Sequence, residues 1–354
     1  MSGSAQNSVP RGLTITGLAT MEWQSGQGRP LEQIQHAHDD WHANTVRFQV
    51  GVPLLRGKTK ATSSWHGGGP VPELLAYLAV PGNGMTGALN GNRYNVAFLA
   101  YLDQAVKLAQ DLGMTVVICA QHETTDRTVM PEGNDIAFWK IIHDHYGADV
   151  VCDLFNEPVP DVIYADEWAG WQHGGQGSDG VTYTGLQALV RDLRAYGMTQ
   201  TFWVEGVHFS NTLAGVNGSE GNHLIQDPLN KIVYSIHHPR GAHTRANWDT
   251  QFGYLKAQGI PFVVGEWTNW AAKKPGECWG DAAAAVPRFL SYVTSLGVGM
   301  TAWALLPNVL VADQDTWAPT QILSTYTCDG SVQGQGAGEL IRNQFAAWAG
   351  LPPG

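Results

Sequence analysis

The feature that most constrains this chain is a rhythm. Short apolar runs of strand length recur eight times along it, at Leu13–Ala19, Thr45–Val50, Thr115–Ala120, Val150–Phe155, Thr201–Val204, Ile232–Ile236, Phe262–Val264 and Met300–Leu305. Helical spacing follows near Leu31–His42, Asn95–Leu112, Asp135–Tyr146, Tyr183–Tyr196 and Ala246–Ala257, and the chain closes on Gly338–Trp348. In the stretch from Asn95, residues Phe98, Leu102, Ala105, Leu108 and Ala109 share one face, and Gly113 supplies a stop. Apolar strands that alternate with helices are buried on both sides, which calls for a parallel sheet. Eight such units in one pass predict an α/β fold, the closed (β/α)8 or TIM barrel. The competing open, doubly wound sheet needs a Gly-rich phosphate turn after its first strand, and Gly17-Leu18-Ala19-Thr20 lacks that spacing. No linker, repeat or low-complexity tract divides the chain. The expected organisation is a flexible tail over 1–10 and one barrel domain over 11–354, with long βα loops near 51–92 and 159–180.

Composition narrows the partners. The chain has 354 residues, of which 44% are apolar and 14% charged, and 31 Asp and Glu against 20 Lys and Arg give a net charge of −11. Without a basic cluster, neither nucleic acid nor an anionic membrane is an expected partner, and no protein partner is implied. No apolar run reaches the ~20 residues that span a bilayer. Cys119 and Cys152 lie inside apolar runs and read as small buried hydrophobes. Cys278 and Cys328 sit in polar, Gly-rich loops and are a candidate disulfide, which would imply an oxidising compartment. The first ten residues are polar and lack an apolar signal core, so they read as a mature or engineered start and do not themselves signal export; the location expected is secreted, extracellular. No CxxC or Cys/His metal spacing occurs. His36-Ala37-His38 and His143-Asp144-His145 fall in predicted helices, where positions i and i+2 do not share a face. No metal and no cofactor are expected.

The strands end in polar residues: Arg47, His122, Asn156, Glu157, His208, His237, Glu266 and Trp303. One polar residue at a strand end is ordinary capping, but eight in phase converge on one mouth of a barrel, where barrel enzymes do their chemistry. Two are glutamates, in Phe155-Asn156-Glu157-Pro158 and Val264-Gly265-Glu266-Trp267. A carboxylic acid and a carboxylate facing each other are the requirements for retaining glycoside hydrolysis. Arg47 can keep Glu266 ionised, Asn156 can reach a sugar 2-hydroxyl, and Glu157, with weaker cationic support, can keep the higher pKa of a general acid. The 14 Trp also suit a sugar-binding surface. Trp139, Trp203 and Trp348 keep helix or strand phase and read as packing. Trp23, Trp65, Trp168, Trp171, Trp267, Trp270, Trp279 and Trp317 fall in strand-to-helix loops, where some are expected to stack on sugar rings.

These stretches, with Asn44-Thr45-Val46-Arg47, Ile118 to His122, Val204 to Ser210, Tyr234 to His237 and Thr301-Ala302-Trp303, resemble glycoside hydrolase family 5, the cellulase family of (β/α)8 retaining glycosidases. The resemblance implies Glu157 as acid/base and Glu266 as nucleophile, with Arg47, His122, Asn156, His237 and Trp303 around them. His208, His238, Trp267 and Trp23 are further candidates for substrate contact or support. It also implies a Tyr two residues after His237, where this chain has Pro239. Either His238 or another side chain stands in, or the nucleophile is held differently. The function expected is a retaining β-glycosidase on a glucan-type polysaccharide or oligosaccharide, an endo-β-1,4-glucanase first. The alternatives are a β-mannanase, a β-1,3-glucanase, an exo-β-glucosidase, or a catalytically weak carbohydrate-binding protein.

Overall fold

The computed structural model describes residues 9–19, 28–57, 85–122, 128–269, 282–307, 309–320 and 337–352. Eight strands form one closed barrel: β1 (Arg11–Ile15), β2 (Thr45–Gly51), β3 (Thr115–Gln121), β4 (Val151–Asp153), β5 (Phe202–Glu205), β6 (Ile232–Ile236), β7 (Phe262–Trp267) and β8 (Met300–Ala302). Every neighbouring pair is parallel, and β8 pairs with β1 to complete the ring. The (β/α)8 expectation holds.

Side chains alternate between two cores because a strand has a period of two. On the outer side Val46, Phe48, Val50, Ile118, Phe202, Val204, Ile236 and Val264 pack with helix residues such as Leu102, Phe138, Leu189 and Phe345. On the inner side Val117, Trp203 and Val263 pack together, with Val151 and Val233 against them. Two residues further along each strand, toward its carboxyl end, the lumen turns polar. Val117 gives way to Cys119, Val151 to Asp153, Trp203 to Glu205 and Val233 to Ser235, all buried. An apolar floor therefore carries a polar layer. A hollow of about 380 Å³ lined by Pro10, Trp203, Val233, Phe262 and Gly299 lies below that floor, at the amino end.

Strand β7 departs from simple alternation. Val264 pairs with Met300 and Trp267 with Ala302, so three steps on β7 match two on β8. This bulge turns Glu266 into the lumen beside Gly265 and sends Trp267 outward. The Thr301 hydroxyl donates to the Gly265 carbonyl across it. A Cβ at Gly265 would collide with Ser235 Oγ, so the bulge needs glycine here.

Helices Pro30–Asp39, Val96–Asp111, Gly133–Tyr146, Leu186–Tyr196 and Gly338–Trp348 fall where the spacing predicts them. Asn95 caps the second by accepting from the Phe98 N–H, and Gly197 ends the fourth in a left-handed conformation. The stretch after β6 runs as Arg245–Trp248, a π-turn at Asp249–Gly253 and Tyr254–Ala257. A helix at Ala282–Leu296 is an addition to the expected set, because Pro287 inside it reads as a breaker. The strict alternation also needs correction after β5. There the chain makes only a tight turn at Val207–Ser210, in which His208 and Phe209 are left-handed, and reaches β6 without a longer helix. The two long loops contain short antiparallel hairpins, Gly87–Leu89 with Asn92–Tyr94 and Gly174–Gln176 with Thr182–Thr184.

Candidate active site

Arg47 is the hub of the polar layer. It is fully buried and permanently charged, so burial obliges it to find anionic partners. Its Nε donates to Asp153 Oδ2 at 2.8 Å, Nη1 to Glu266 Oε2 at 2.8 Å, and Nη2 to Glu205 Oε1 at 2.7 Å and Asn156 Oδ1 at 2.8 Å. Nη2 also lies 3.0 Å from Cys119 Sγ. Gln49, two residues along the same face of β2, donates to Glu266 Oε2 at 3.1 Å. Glu266 thus accepts two hydrogen bonds from β2. By binding the Asn156 oxygen, Arg47 also fixes that amide with its NH2 free to point elsewhere.

Glu157 enters from the end of β4 on a left-handed residue, φ 50°. Its N–H donates to Glu205 Oε2 at 2.6 Å, and its Oε1 lies 2.9 Å from His237 Nδ1. The other ring nitrogen of His237 lies 3.2 Å from Glu205 Oε1. Ligand atoms of Glu157, His237 and Glu266 all lie within 4.8 Å of one another, so a carboxyl oxygen of each glutamate approaches that closely.

The charges follow from this packing. Burial alone would strip the proton from His237, but Glu205, Glu266 and Glu157 around it raise its pKa well above the usual imidazole range. Burial would likewise raise Glu205, yet His237 and Arg47 hold it below the usual carboxylate range. Asp153 takes the opposite course: burial and the neighbouring Glu205 charge push it up to about 8 despite Arg47. The layer therefore holds one neutral and one ionised acid beneath the two glutamates. Glu157 has more cationic support than the sequence suggests, because His237 touches it.

Among the other expected residues, Trp303 is half-buried just past the end of β8. His122 is buried, stacks on Phe155 at 5.2 Å, and gives Nε2 to Asp135 Oδ1 at 2.6 Å. Asp135 in turn accepts from the Glu132 N–H at the start of helix Gly133–Tyr146, so His122 ties that helix to β3. His208 sits apart, between Asp161 (3.4 Å) and Glu167 (2.7 Å). His238 turns to the backbone of Thr268 at 3.1 Å, and burial with the nearby His237 charge pushes it down to about 3. It is a neutral packing residue. Gln49, not His238, is the neighbour that joins Arg47 on Glu266.

Trp267 requires correction. The β7 bulge buries it completely and stacks it on Phe289 at 4.5 Å, so it packs in the outer core and has no face for a sugar. Trp168, Trp171 and Trp317 are buried as well, and Trp171 donates to the Glu205 carbonyl at 2.9 Å. Much of the tryptophan surplus therefore serves packing. Trp23, Trp65, Trp270, Trp279, Cys278 and Cys328 lie outside the described residues. Cys119 and Cys152 are buried thiols that form no disulfide.

Sequence reasoning missed Gln49, Asp153 and Glu205. Each left a signal: Gln49 lies two residues from Arg47 on one strand, and the two acids close the apolar strands β4 and β5.

A family model described as Cellulase (glycosyl hydrolase family 5) matches residues 4–309. No curated protein matches the chain. Among solved structures, a beta-glucanase from Saccharophagus degradans shares the fold with a TM-score of 0.59 at 20% identity, over 88% of this chain and 84% of that one. An endo-beta-1,4-glucanase from Xanthomonas axonopodis pv. citri gives 0.57 at 13%, over 95% and 98%. A beta-mannanase from Thermomonospora fusca gives 0.57 at 14%, over 98% and 92%. With the family match spanning most of the barrel and its strand ends, this chain belongs to glycosyl hydrolase family 5, the cellulase family, and is a glycoside hydrolase.

Proposed function

We propose that this hydrolase cleaves β-1,4-glucan by a retaining double displacement, with Glu266 as nucleophile and Glu157 as acid/base. The observation that carries the reading is the approach of their carboxyl oxygens to within 4.8 Å. Retaining enzymes hold their carboxyl groups about 5–5.5 Å apart, whereas inverting ones leave about 6.5–9.5 Å for a water. Glu266, held by Arg47 and Gln49, attacks the anomeric carbon as its bond to the leaving oxygen breaks, and Glu157 gives that oxygen its proton. Water then attacks the anomeric carbon, giving its proton to Glu157 as the bond to Glu266 breaks, which frees the sugar and restores both carboxyl groups. The amide of Asn156, its oxygen pinned by Arg47, is free to donate to the 2-hydroxyl as positive charge develops on the ring. Trp303 lies at the mouth as a floor for the sugar beside the cut.

The β-1,4-glucan preference rests on the description of the matching family, and a mannan is the second reading, since a mannanase shares the fold. Product analysis on β-1,4-glucan, β-1,3-glucan and mannan, alongside Glu266→Gln, tests both points. Glucan oligosaccharides released first as the β-anomer are expected, with activity in Glu266→Gln lower by about a thousandfold or more, comparable to loss of a covalent nucleophile. An α-anomer appearing first, or an active Glu266→Gln, would overturn the mechanism. Mannan cleaved in preference to glucan would overturn the substrate.

A further inference from the structure

We propose that Glu205 is a positioning residue for the acid/base step: it orients His237 against Glu157 and tethers the Glu157 backbone, linking both reactive glutamates through one buried carboxylate. The inference rests on Glu157 being the acid/base. Glu205 touches no reacting atom; it acts through its neighbours.

Its two oxygens are fully committed to donors. Oε1 accepts from Arg47 Nη2 at 2.7 Å and faces His237 Nε2 at 3.2 Å, and Oε2 accepts from the Glu157 N–H at 2.6 Å. Arg47 passes the contact on to Glu266 and Asn156. The Nε2 contact is an ion pair at 3.2 Å without hydrogen-bond alignment, so Glu205 holds the ring by charge while Nδ1 pairs with Glu157 Oε1 at 2.9 Å. The charged groups facing His237 are Glu157 from the end of β4, Glu205 from β5 and Glu266 from β7. His238 beside it is neutral. The left-handed φ of 50° at Glu157 is an unfavourable conformation for a residue with a side chain, and the Glu205 bond holds the N–H that this conformation presents. An amide cannot replace this carboxylate. In Glu205→Gln one end of the side chain would be an NH2 aimed at a donor, so either the imidazole or the Glu157 backbone would be displaced.

The test compares Glu205→Gln and Glu205→Asp with Glu157→Ala on two substrates, an unactivated glucan oligosaccharide and a dinitrophenyl β-glycoside whose leaving group needs no proton. Glu205→Gln is expected to lose about a hundredfold in kcat/KM on the first and about tenfold or less on the second, since a misplaced acid matters only where a proton is required. A merely structural role would lower both equally. Asp, keeping the charge at shorter reach, is expected to show the same skew at smaller amplitude. If Glu205→Gln does not fold, that smaller skew carries the test, and its absence overturns the proposal. The second readout is the NMR titration of His237, which is expected to lose its proton at lower pH in Glu205→Gln than in the wild type. An unchanged titration, or equal losses on both substrates while Glu157→Ala remains skewed, overturns the role of Glu205. If Glu157→Ala itself shows no skew, the acid/base reading falls instead, and the His237 titration alone decides whether Glu205 governs that ring.

Discussion

Two neighbouring buried acids in the lumen take opposite protonation states, and residue identity alone does not determine which. Asp153 and Glu205 are both fully buried and both bonded to Arg47. Glu205 also has His237, whereas Asp153 leaves Oδ1 without a hydrogen-bond partner. One guanidinium cannot hold every acid around it ionised, so the acid with fewer donors keeps its proton. This has a consequence for stability. The folded Asp153 stays protonated up to about 8, while an unfolded Asp loses its proton near its ordinary value of about 4. Between those limits the native state binds the extra proton. Its contribution is therefore complete at the acid end and is lost as pH rises, with a limiting slope of about 1.4 kcal/mol per pH unit. Asp153→Asn mimics the neutral form, so the variant is expected to match wild type more closely at pH 5 than at pH 8, where the wild type has lost stability that the amide keeps. Urea unfolding at both pH values reads this, and equal differences at the two would show that the proton resides elsewhere. Arg47, Asn156, Glu157, His237 and Glu266 were legible in the sequence because each interrupts or closes an apolar run within a stretch that resembles the family. Asp153 and Glu205 are the last residues of β4 and β5, yet a single charge closing an apolar string carries no sign of its partner.

At the scale of the element, β7 has the most consequential irregularity. A regular strand would put either Gly265 or Glu266 in the lumen, not both, and would turn Trp267 inward with Gly265. The extra residue reverses the later part of the strand, giving Glu266 to the site and Trp267 to Phe289. Gly265→Ala is expected to destabilise by about 1–3 kcal/mol through overpacking against Ser235. Ser235 Oγ is buried and makes no hydrogen bond, so Ser235→Ala alone is expected to cost little. With that oxygen gone, the next atoms sit at 3.2 Å (Ser235 Cβ) and 3.6 Å (His237 Nε2), and the double variant is expected to recover most of the loss. A thermal or urea double-mutant cycle measures this, and strictly additive effects would place the strain somewhere other than this contact. The same bulge explains why Trp267 was misread from sequence. Period-two reading assigns faces correctly only until a residue is inserted, and the insertion depends on pairing with β8. The other elements missed have equally local causes, Pro287 hiding a helix and left-handed turns at His208 and Phe209 replacing one.

Across the whole molecule, the site is a layer that only a closed barrel can assemble. Arg47 and Gln49 come from β2, Asp153 and Glu157 from β4 and its end, Glu205 from β5, His237 from the end of β6, and Glu266 from β7. No two neighbouring strands contain it, which is why the eightfold rhythm and the polar strand ends had to be read together before either meant anything. What the rhythm could not convey is the floor. Trp203 reads as packing from its strand phase, but only the closed ring shows that it fills the lumen beneath the polar layer, against Val117 and Val263 with Val151 and Val233 around it. Residues from β3, β4, β5, β6 and β7 therefore share one inner cluster, of which the indole is the largest member. Trp203→Ala removes that member and leaves a void between the polar layer and the hollow at the amino end. A loss of about 3–5 kcal/mol is expected, as for other large buried aromatics cut to alanine. Because Glu205 lies two residues beyond Trp203 on the same face of β5, the void also frees the layer above it to shift. The fraction of Trp203→Ala that stays folded is then expected to be slower on a glycoside substrate than wild type, while Trp203→Phe, which refills most of the space, keeps more of both stability and rate. Urea melts paired with initial rates on the same samples separate the two effects. A Trp203→Ala protein as stable as wild type would mean that the ring of strands closes without its central plug.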